Sequence, residues 1–217
     1  MNTLIITGGR FNKEFVASFL GKKQYDYVIA VDRGLEYAEI SGIVPDMIVG
    51  DFDTYRDADL KKYMAKGINV RKCIPEKDDT DTEIAIREAI ELKSDMDIIC
   101  ATGGRIDHLL ANIHNMKIAL DSEFNARIID ECNIVYLKKH SFVMEKDLSY
   151  GSYVSFIPFD GTVENLKLKG FKYPLYGYDL KPGTSRCVSN EIVENKAYVS
   201  FDSGCIIVVE SSDVKSE

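Results

Sequence analysis

The sequence predicts an α/β protein: a mostly parallel sheet domain over residues 1–132, then a smaller antiparallel β domain over residues 133–217. Three observations carry this expectation. In the first segment short apolar runs alternate with stretches of helical period, the mark of right-handed βαβ units. Most of those runs end in glycine or aspartate, residues suited to ligand-binding loops at the carboxyl edge of a parallel sheet. Beyond about Asn133 the helical period disappears, and short runs are separated by turn pairs such as Asp160-Gly161 and Ser203-Gly204.

Leu4 to Thr7 is the first predicted strand, closed by Gly8-Gly9 and followed by a helix from Asn12 to Leu20. Tyr27 to Val31 is the second, with a helix around Leu35 to Ser41 that Gly42 stops. Met47 to Val49 is the third, followed by a helix from about Ala58 to Lys66, and Asn69 to Lys72 is a weaker fourth. Thr80 to Ser94 is the best helix, with Ile84, Ala85, Ala89 and Ile90 as candidate core positions. Asp97 to Cys100 is the fifth strand, and Ala126 to Ile129 the sixth. Between them runs a helix from Asp107 to Asp121, whose Leu109, Ile113, Met116 and Leu120 form an apolar stripe. In the second segment Ile134 to Leu137, Tyr153 to Ile157, Val163 to Leu168, Ala197 to Phe201 and Cys205 to Val209 read as strands. Apolar Ala197, Val199 and Phe201 alternate with Tyr198 and Ser200, as in a small antiparallel sandwich or barrel with one face inward.

At 217 residues, with 45% apolar and 29% charged side chains, the chain can bury an ordinary core. A net charge of −8 and the lack of any Lys/Arg-rich block argue against nucleic acid as the main partner. A polyanionic nucleotide remains a possible ligand where a metal and local basic groups neutralise its phosphates. The five cysteines (Cys73, Cys100, Cys132, Cys187, Cys205) are scattered and never form a CxxC pair. That pattern argues against zinc and fits a reducing compartment. Met1 to Thr7 lacks a basic leader, and no run approaches the roughly 20 apolar residues of a bilayer span. The expectation is a cytoplasmic protein with no membrane partner.

Two acidic clusters carry the chemistry: Gly50-Asp51-Phe52-Asp53-Thr54 and Lys77-Asp78-Asp79-Thr80-Asp81. Crowded carboxylates repel one another unless a cation sits among them, and Mg²⁺ takes one or two carboxylates together with waters and phosphate oxygens. The plainer alternative is that Asp51 and Asp53 are turn residues and that Thr80 with Glu83 is a helix capping box. A second feature is an internal echo, Thr7-Gly8-Gly9-Arg10 and Thr102-Gly103-Gly104-Arg105. Paired glycines after a strand let backbone approach a phosphate, and the second copy opens a helix whose N-terminus favours anions. On that helix His108 and Asn112 share a polar face. Neither GxxxxGK[ST] nor GxGxxG occurs, so a Walker loop and a dinucleotide fingerprint are both excluded. The acidic clusters alone would also suit a Mg²⁺-dependent phosphohydrolase, and the set as a whole a binding module without turnover.

Taken in order, Asp32-Arg33-Gly34, Gly42-Ile43-Val44-Pro45-Asp46, Gly50 to Thr54, Asp78 to Asp81 and Gly103-Gly104-Arg105-Ile106-Asp107-His108 resemble the thiamine pyrophosphokinase family. The resemblance continues through Tyr173-Pro174-Leu175 and Val188-Ser189-Asn190-Glu191. It implies an α/β domain followed by a β-sandwich domain, in a homodimer with active sites at the subunit interface. The implied reaction moves a pyrophosphoryl group from ATP to the hydroxyl of thiamine, giving thiamine diphosphate and AMP. Carried onto this chain, Asp51, Asp53 and Asp81 match Mg²⁺ carboxylates, with Asp78 close by. Asp32, Gly34, Thr80, Thr102, Gly103, Gly104, Arg105, Asp107 and His108 match nucleotide-side positions, and Ser189 with Asn190 the thiamine-side motif. Lys77 and Arg105 are candidate cationic clamps on the transferred group, as are Arg10 and Arg33, and Asp51 is a candidate acceptor of the alcohol's proton. Arg33 stands where the family often has a second glycine, Cys187 where a smaller residue is common, and Thr54 where serine is frequent.

Overall fold

The computed structural model describes residues 1–51, 57–73 and 79–213, so Asp53, Lys77 and Asp78 lie outside the described residues. The chain divides into two compact units, Met1–Glu131 and Cys132–Glu217.

In the first unit β1 (Asn2–Ile6), β2 (Tyr27–Val31), β3 (Met47–Gly50), β4 (Asn69–Lys72), β5 (Asp95–Ile99) and β6 (Ala126–Ile129) all pair in parallel. Their order across the sheet is β4-β3-β2-β1-β5-β6. The connections are α1 (Lys13–Leu20), α2 (Gly34–Ile40), α3 (Asp57–Ala65), α4 (Asp81–Glu91) and α5 (Ile106–Asp121). Central strands of such a sheet are covered on both faces, so they read as unbroken apolar runs. Leu4, Ile5, Ile6, Ile98 and Ile99 of β1 and β5 are accordingly all buried. The strand order reverses between β1 and β5, whose Ile5 and Ile98 lie side by side. Ligands of open parallel sheets bind beyond the carboxyl ends at such a reversal.

Two helices, α1 and α4, start at side-chain caps. Asn12 accepts hydrogen bonds from the N–H groups of Glu14 and Phe15, and so starts α1. Thr80 Oγ1 accepts from Glu83 N–H to start α4, while the Glu83 carboxylate takes Arg87 as its partner. The expected capping box is therefore half formed. Of the candidate core residues on α4, Ile84, Ala85 and Ala89 are buried and Ile90 is half-buried, with Thr82 and Ile86 joining the buried face. On α5 the buried edge is Asn112, Met116 and Ala119, and the expected stripe of Leu109, Ile113 and Leu120 is half-buried.

The second unit is antiparallel, as expected. β7 (Asn133–Lys138), β13 (Ile206–Ser211) and β9 (Tyr153–Pro158) pair with β13 in the middle. β11 (Leu175–Leu180), β10 (Val163–Lys169), β12 (Lys196–Ser200) and β8 (Phe142–Glu145) form a four-stranded sheet in that order. Phe156, Leu166, Leu168, Val199 and Val208 fill the core of this unit, with Phe171 edge-on to Phe156 at 5.5 Å. Two of its strands were not expected from the sequence, β8 and β11. Both are edge strands with a single buried residue each, Met144 and Leu180, so neither shows a two-residue period. All five cysteines are free, and among the described residues no helix is long and apolar enough to cross a membrane.

Candidate functional site

The two Thr-Gly-Gly-Arg segments extend from adjacent strands and are bonded to each other. Thr7 N–H donates to Ile99 C=O (3.1 Å), Gly9 N–H to Cys100 C=O (2.7 Å) and Arg10 N–H to Thr102 C=O (2.8 Å). The Thr7 hydroxyl adds a bond to Cys100 C=O at 2.6 Å. In the first copy the N–H groups of Gly9 and Arg10 therefore hold the loops together and do not point at a ligand. The second copy differs. Gly103 and Gly104 both have positive φ, 76° and 74°, and both are exposed. A Cβ on Gly103 would stand 2.6 Å from that of Arg10, so only glycine fits where the loops cross.

The turn after β2 closes the other side. Asp32 takes a left-handed conformation (φ 48°), tolerable for aspartate, and donates its N–H to Val49 C=O at 2.9 Å. Gly34 is buried, and a Cβ there would collide with the carbonyl of Ile6, so its absence lets α2 start directly against the end of β1. Tyr37, one turn later, donates its hydroxyl to Gly9 C=O at 3.0 Å and stacks on Phe11 at 4.6 Å.

These segments enclose a cleft of 440 Å³ at the strand reversal, lined among others by Gly8, Asp32, Arg33, Gly103, Gly104 and Arg105. Thr82 from α4 and His108 and Asn112 from α5 complete its wall. Asn112 is buried and anchored by its Nδ2 to Ala101 C=O (3.3 Å), whereas His108 is exposed. Thr82 and Cys100 were not singled out as site residues from sequence; nothing in their spacing marks them, because the strand reversal alone brings them to the cleft. Burial and the nearby Glu131 push the Cys100 thiol up to about 12, so it is neutral at ordinary pH. Arg105 grips Asp107 through Nε (3.1 Å) and Nη2 (2.5 Å), which holds that exposed carboxyl down to about 2. Asp107 also accepts from His108 N–H at 3.0 Å, at the start of α5.

Four further described candidates belong to the same unit. Thr102 is half-buried and its carbonyl is taken by Arg10. Asp51 is half-buried at the carboxyl end of β3, and Asp81 is half-buried in the first turn of α4, next to the cleft-lining Thr82. Thr80 is committed to the helix cap and to Asn115 Nδ2 at 3.2 Å. Among the described residues no group of three or more His, Cys, Asp or Glu is gathered closely enough to hold a metal. The donors present are hard carboxylate oxygens at the ligand-binding edge, with no soft thiolate offered, and that donor chemistry fits Mg²⁺.

In the second unit Ser189 is exposed with a left-handed φ of 56°, and its N–H donates to Ser155 Oγ at 3.0 Å. Asn190 is buried, and both ends of its side-chain amide are engaged. Oδ1 accepts from Tyr173 N–H (3.0 Å) and Glu191 N–H (2.9 Å), and Nδ2 donates to Tyr173 C=O (2.8 Å). It thus pins the Tyr173-Pro174 segment, which borders a hollow of 280 Å³ with Leu168, Arg186 and Cys187.

Comparison with known proteins gives a consistent result. The family model for the thiamin pyrophosphokinase catalytic domain matches residues 21–128, and that for the thiamin pyrophosphokinase vitamin B1 binding domain matches residues 139–206. The chain is 32% identical over 212 residues to the thiamine pyrophosphokinase of Bacillus subtilis (strain 168), spanning 96% of this chain and 98% of that protein. Solved thiamine pyrophosphokinase structures from Bacillus subtilis (TM-score 0.85, 31% identity, 99% and 100% of the two chains) and Geobacillus thermodenitrificans (TM-score 0.84, 31% identity, 99% of each) superpose along the whole length.

Proposed function

The chain belongs to the thiamin pyrophosphokinase family, and from that premise we propose how its two units share the transfer of a pyrophosphoryl group from ATP to thiamine. One observation carries the assignment of the nucleotide: the cleft at the strand reversal joins exposed glycine backbone, three arginines and the start of α5. Such a surface suits a polyphosphate and not an apolar ligand. The thiamine hydroxyl oxygen attacks the β-phosphorus and passes its proton to a carboxylate, for which Asp51 is the candidate; that O–P bond forms as the bond from the β-phosphorus to the α,β-bridging oxygen breaks, releasing AMP. Charge gathers on the non-bridging and leaving oxygens, and fixed donors there lower the barrier.

Arg105 and Lys77 are the donors to the transferred group, with Asp32, Asp78, Thr80, Thr102, Gly103, Gly104, Asp107 and His108 on the nucleotide side. Gly34 acts by its lack of a side chain, seating Asp32 and Arg33 on the end of β1. Asp51, Asp53 and Asp81 would hold Mg²⁺, which neutralises phosphate charge when bound. The protein works in the cytoplasm as a homodimer, closed two-fold assembly being the usual way to cover a spare apolar sheet face. Incubation with ATP, Mg²⁺ and thiamine should give AMP and thiamine diphosphate in equal amounts by mass spectrometry. ADP with thiamine monophosphate would mean attack at the γ-phosphorus and would overturn the reaction, and an active monomer by light scattering would overturn the dimer.

Thiamine falls to the antiparallel unit, through Ser189 and Asn190. Because the Asn190 amide is spent on Tyr173 and Glu191, it acts on thiamine through the segment it pins. Asn190→Ala leaves the Tyr173 N–H and C=O and the Glu191 N–H without their side-chain partner and should cost about 1 kcal/mol of stability. It should also raise KM for thiamine several-fold while KM for ATP stays within twofold. Equal rises in both constants would remove Asn190 from the thiamine side.

A further inference from the structure

We propose that Arg33 reads the polyphosphate end of the nucleotide and so favours ATP over AMP in this cleft, an inference that rests on the cleft being the nucleotide site. Three arginines line it, and they are not equivalent. Arg105 has Nε and Nη2 on Asp107, and its side chain is 73% exposed. Arg10 has Nη2 on Glu131 at 3.4 Å. Arg33 spends only Nε, on Glu36 at 3.2 Å, and neither Nη group makes a hydrogen bond among the described residues.

The Arg33 guanidinium is also held in place. Its Cζ lies over the Tyr37 ring, 5.4 Å from the centroid, and that ring is itself stacked with Phe11. Tyr37 is itself fixed by its bond to Gly9 C=O. A guanidinium already stacked and tethered loses little freedom on taking a phosphate, and its remaining fork matches two phosphate oxygens. Its position fits the same role: a Cβ on Gly8 would stand 3.2 Å from that of Arg33, so the side chain leaves the backbone beside the bare glycine edge. A polyphosphate approaching that edge meets Arg33, whereas a nucleoside monophosphate has given up the β and γ groups that would reach it.

Arg33→Gln should raise KM for ATP about tenfold, in line with the loss of one charge-assisted contact. The inhibition constant of AMP, measured as product inhibition against ATP, should shift less than twofold. The melting temperature should stay within about 2 °C, because the side chain is 64% exposed. Arg33→Lys, which keeps the charge and loses the fork, should recover part of the affinity. His108→Trp serves as the control, since it fills the mouth of the cleft from an exposed position and should weaken ATP and AMP alike. An unchanged ATP constant in Arg33→Gln with a weakened His108→Trp overturns the role of Arg33 alone. Equal shifts of ATP and AMP in Arg33→Gln overturn the selectivity. No effect from either variant overturns the cleft as the nucleotide site, and the inference with it.

Discussion

Asp51→Asn and Asp81→Asn should each lower kcat by about a thousandfold and leave stability within about 1 kcal/mol of the parent. The asymmetry follows from where the two carboxylates stand. Asp51 ends β3 and Asp81 opens α4, both half-buried at the edge of the sheet where ligands bind. Neither belongs to the packed core, so an isosteric amide removes charge without opening a cavity. In Asp81 the lost interaction with the start of α4 costs about 0.3–1 kcal/mol, and relief of repulsion among neighbouring carboxylates offsets part of it. The effect on turnover has no such offset, because an amide is a poor ligand for Mg²⁺ and leaves phosphate charge unneutralised. Asp53→Asn should behave alike. Titration calorimetry should show weakened Mg²⁺ binding in each variant, independent of turnover. Near-normal kcat in all three variants at saturating Mg²⁺ would remove the metal assignment.

The parallel unit was legible in sequence because its central strands are buried on both faces and two of its helices, α1 and α4, begin at side-chain caps. Asn12 and Thr80 announce α1 and α4, and Leu4-Ile5-Ile6 and Ile98-Ile99 announce the central strands. Boundaries moved by one to three residues, as at α4, which ends at Glu91 and not at Ser94, and at β5, where Asp95 and Met96 join the strand through pairing with Asn2 and Thr3. Edge strands β8 and β11 were illegible: each has one buried residue, and β11 carries Gly177 at φ 105° and shifts register against β10. The echo of Thr-Gly-Gly-Arg was visible, but its consequence was not. Sequence shows two similar loops; only the adjacency of β1 and β5 makes one the scaffold of the other. Asn190 shows the same limit, since its type suggests a ligand contact while its three hydrogen bonds are all internal.

One cluster that the sequence left unmarked should dominate the stability of the first unit. Asp97, in the middle of β5, is buried, with Arg127 bidentate at 2.7 and 2.8 Å, the Tyr25 hydroxyl at 2.6 Å and Lys23 Nζ at 2.9 Å. Burial alone would raise its carboxyl, but the bonds from Arg127, Tyr25 and Lys23 outweigh that and hold it below the usual range. Burial, foremost, and the Asp97 charge push the Tyr25 hydroxyl up, so it remains a donor. Arg127→Met keeps the apolar stem and leaves the buried carboxylate with the Lys23 cation and the Tyr25 hydroxyl, which should cost about 3 kcal/mol by urea denaturation at pH 7. Asp97→Asn should cost less, about 1–3 kcal/mol, because the cations it leaves behind are partly exposed and can reach water. The two changes together should cost less than their sum. A carboxyl held low when folded contributes stability that is present above its unfolded value of about 3.9 and lost as pH falls through the folded one. In Arg127→Met the carboxyl, short of its bidentate partner, titrates higher and is relieved by protonation, so the gap to the parent should narrow between about pH 6 and pH 3. A gap that stays constant over that interval would mean that Asp97 does not depend on Arg127 for its charge, and the network would then be no more than a packing contact.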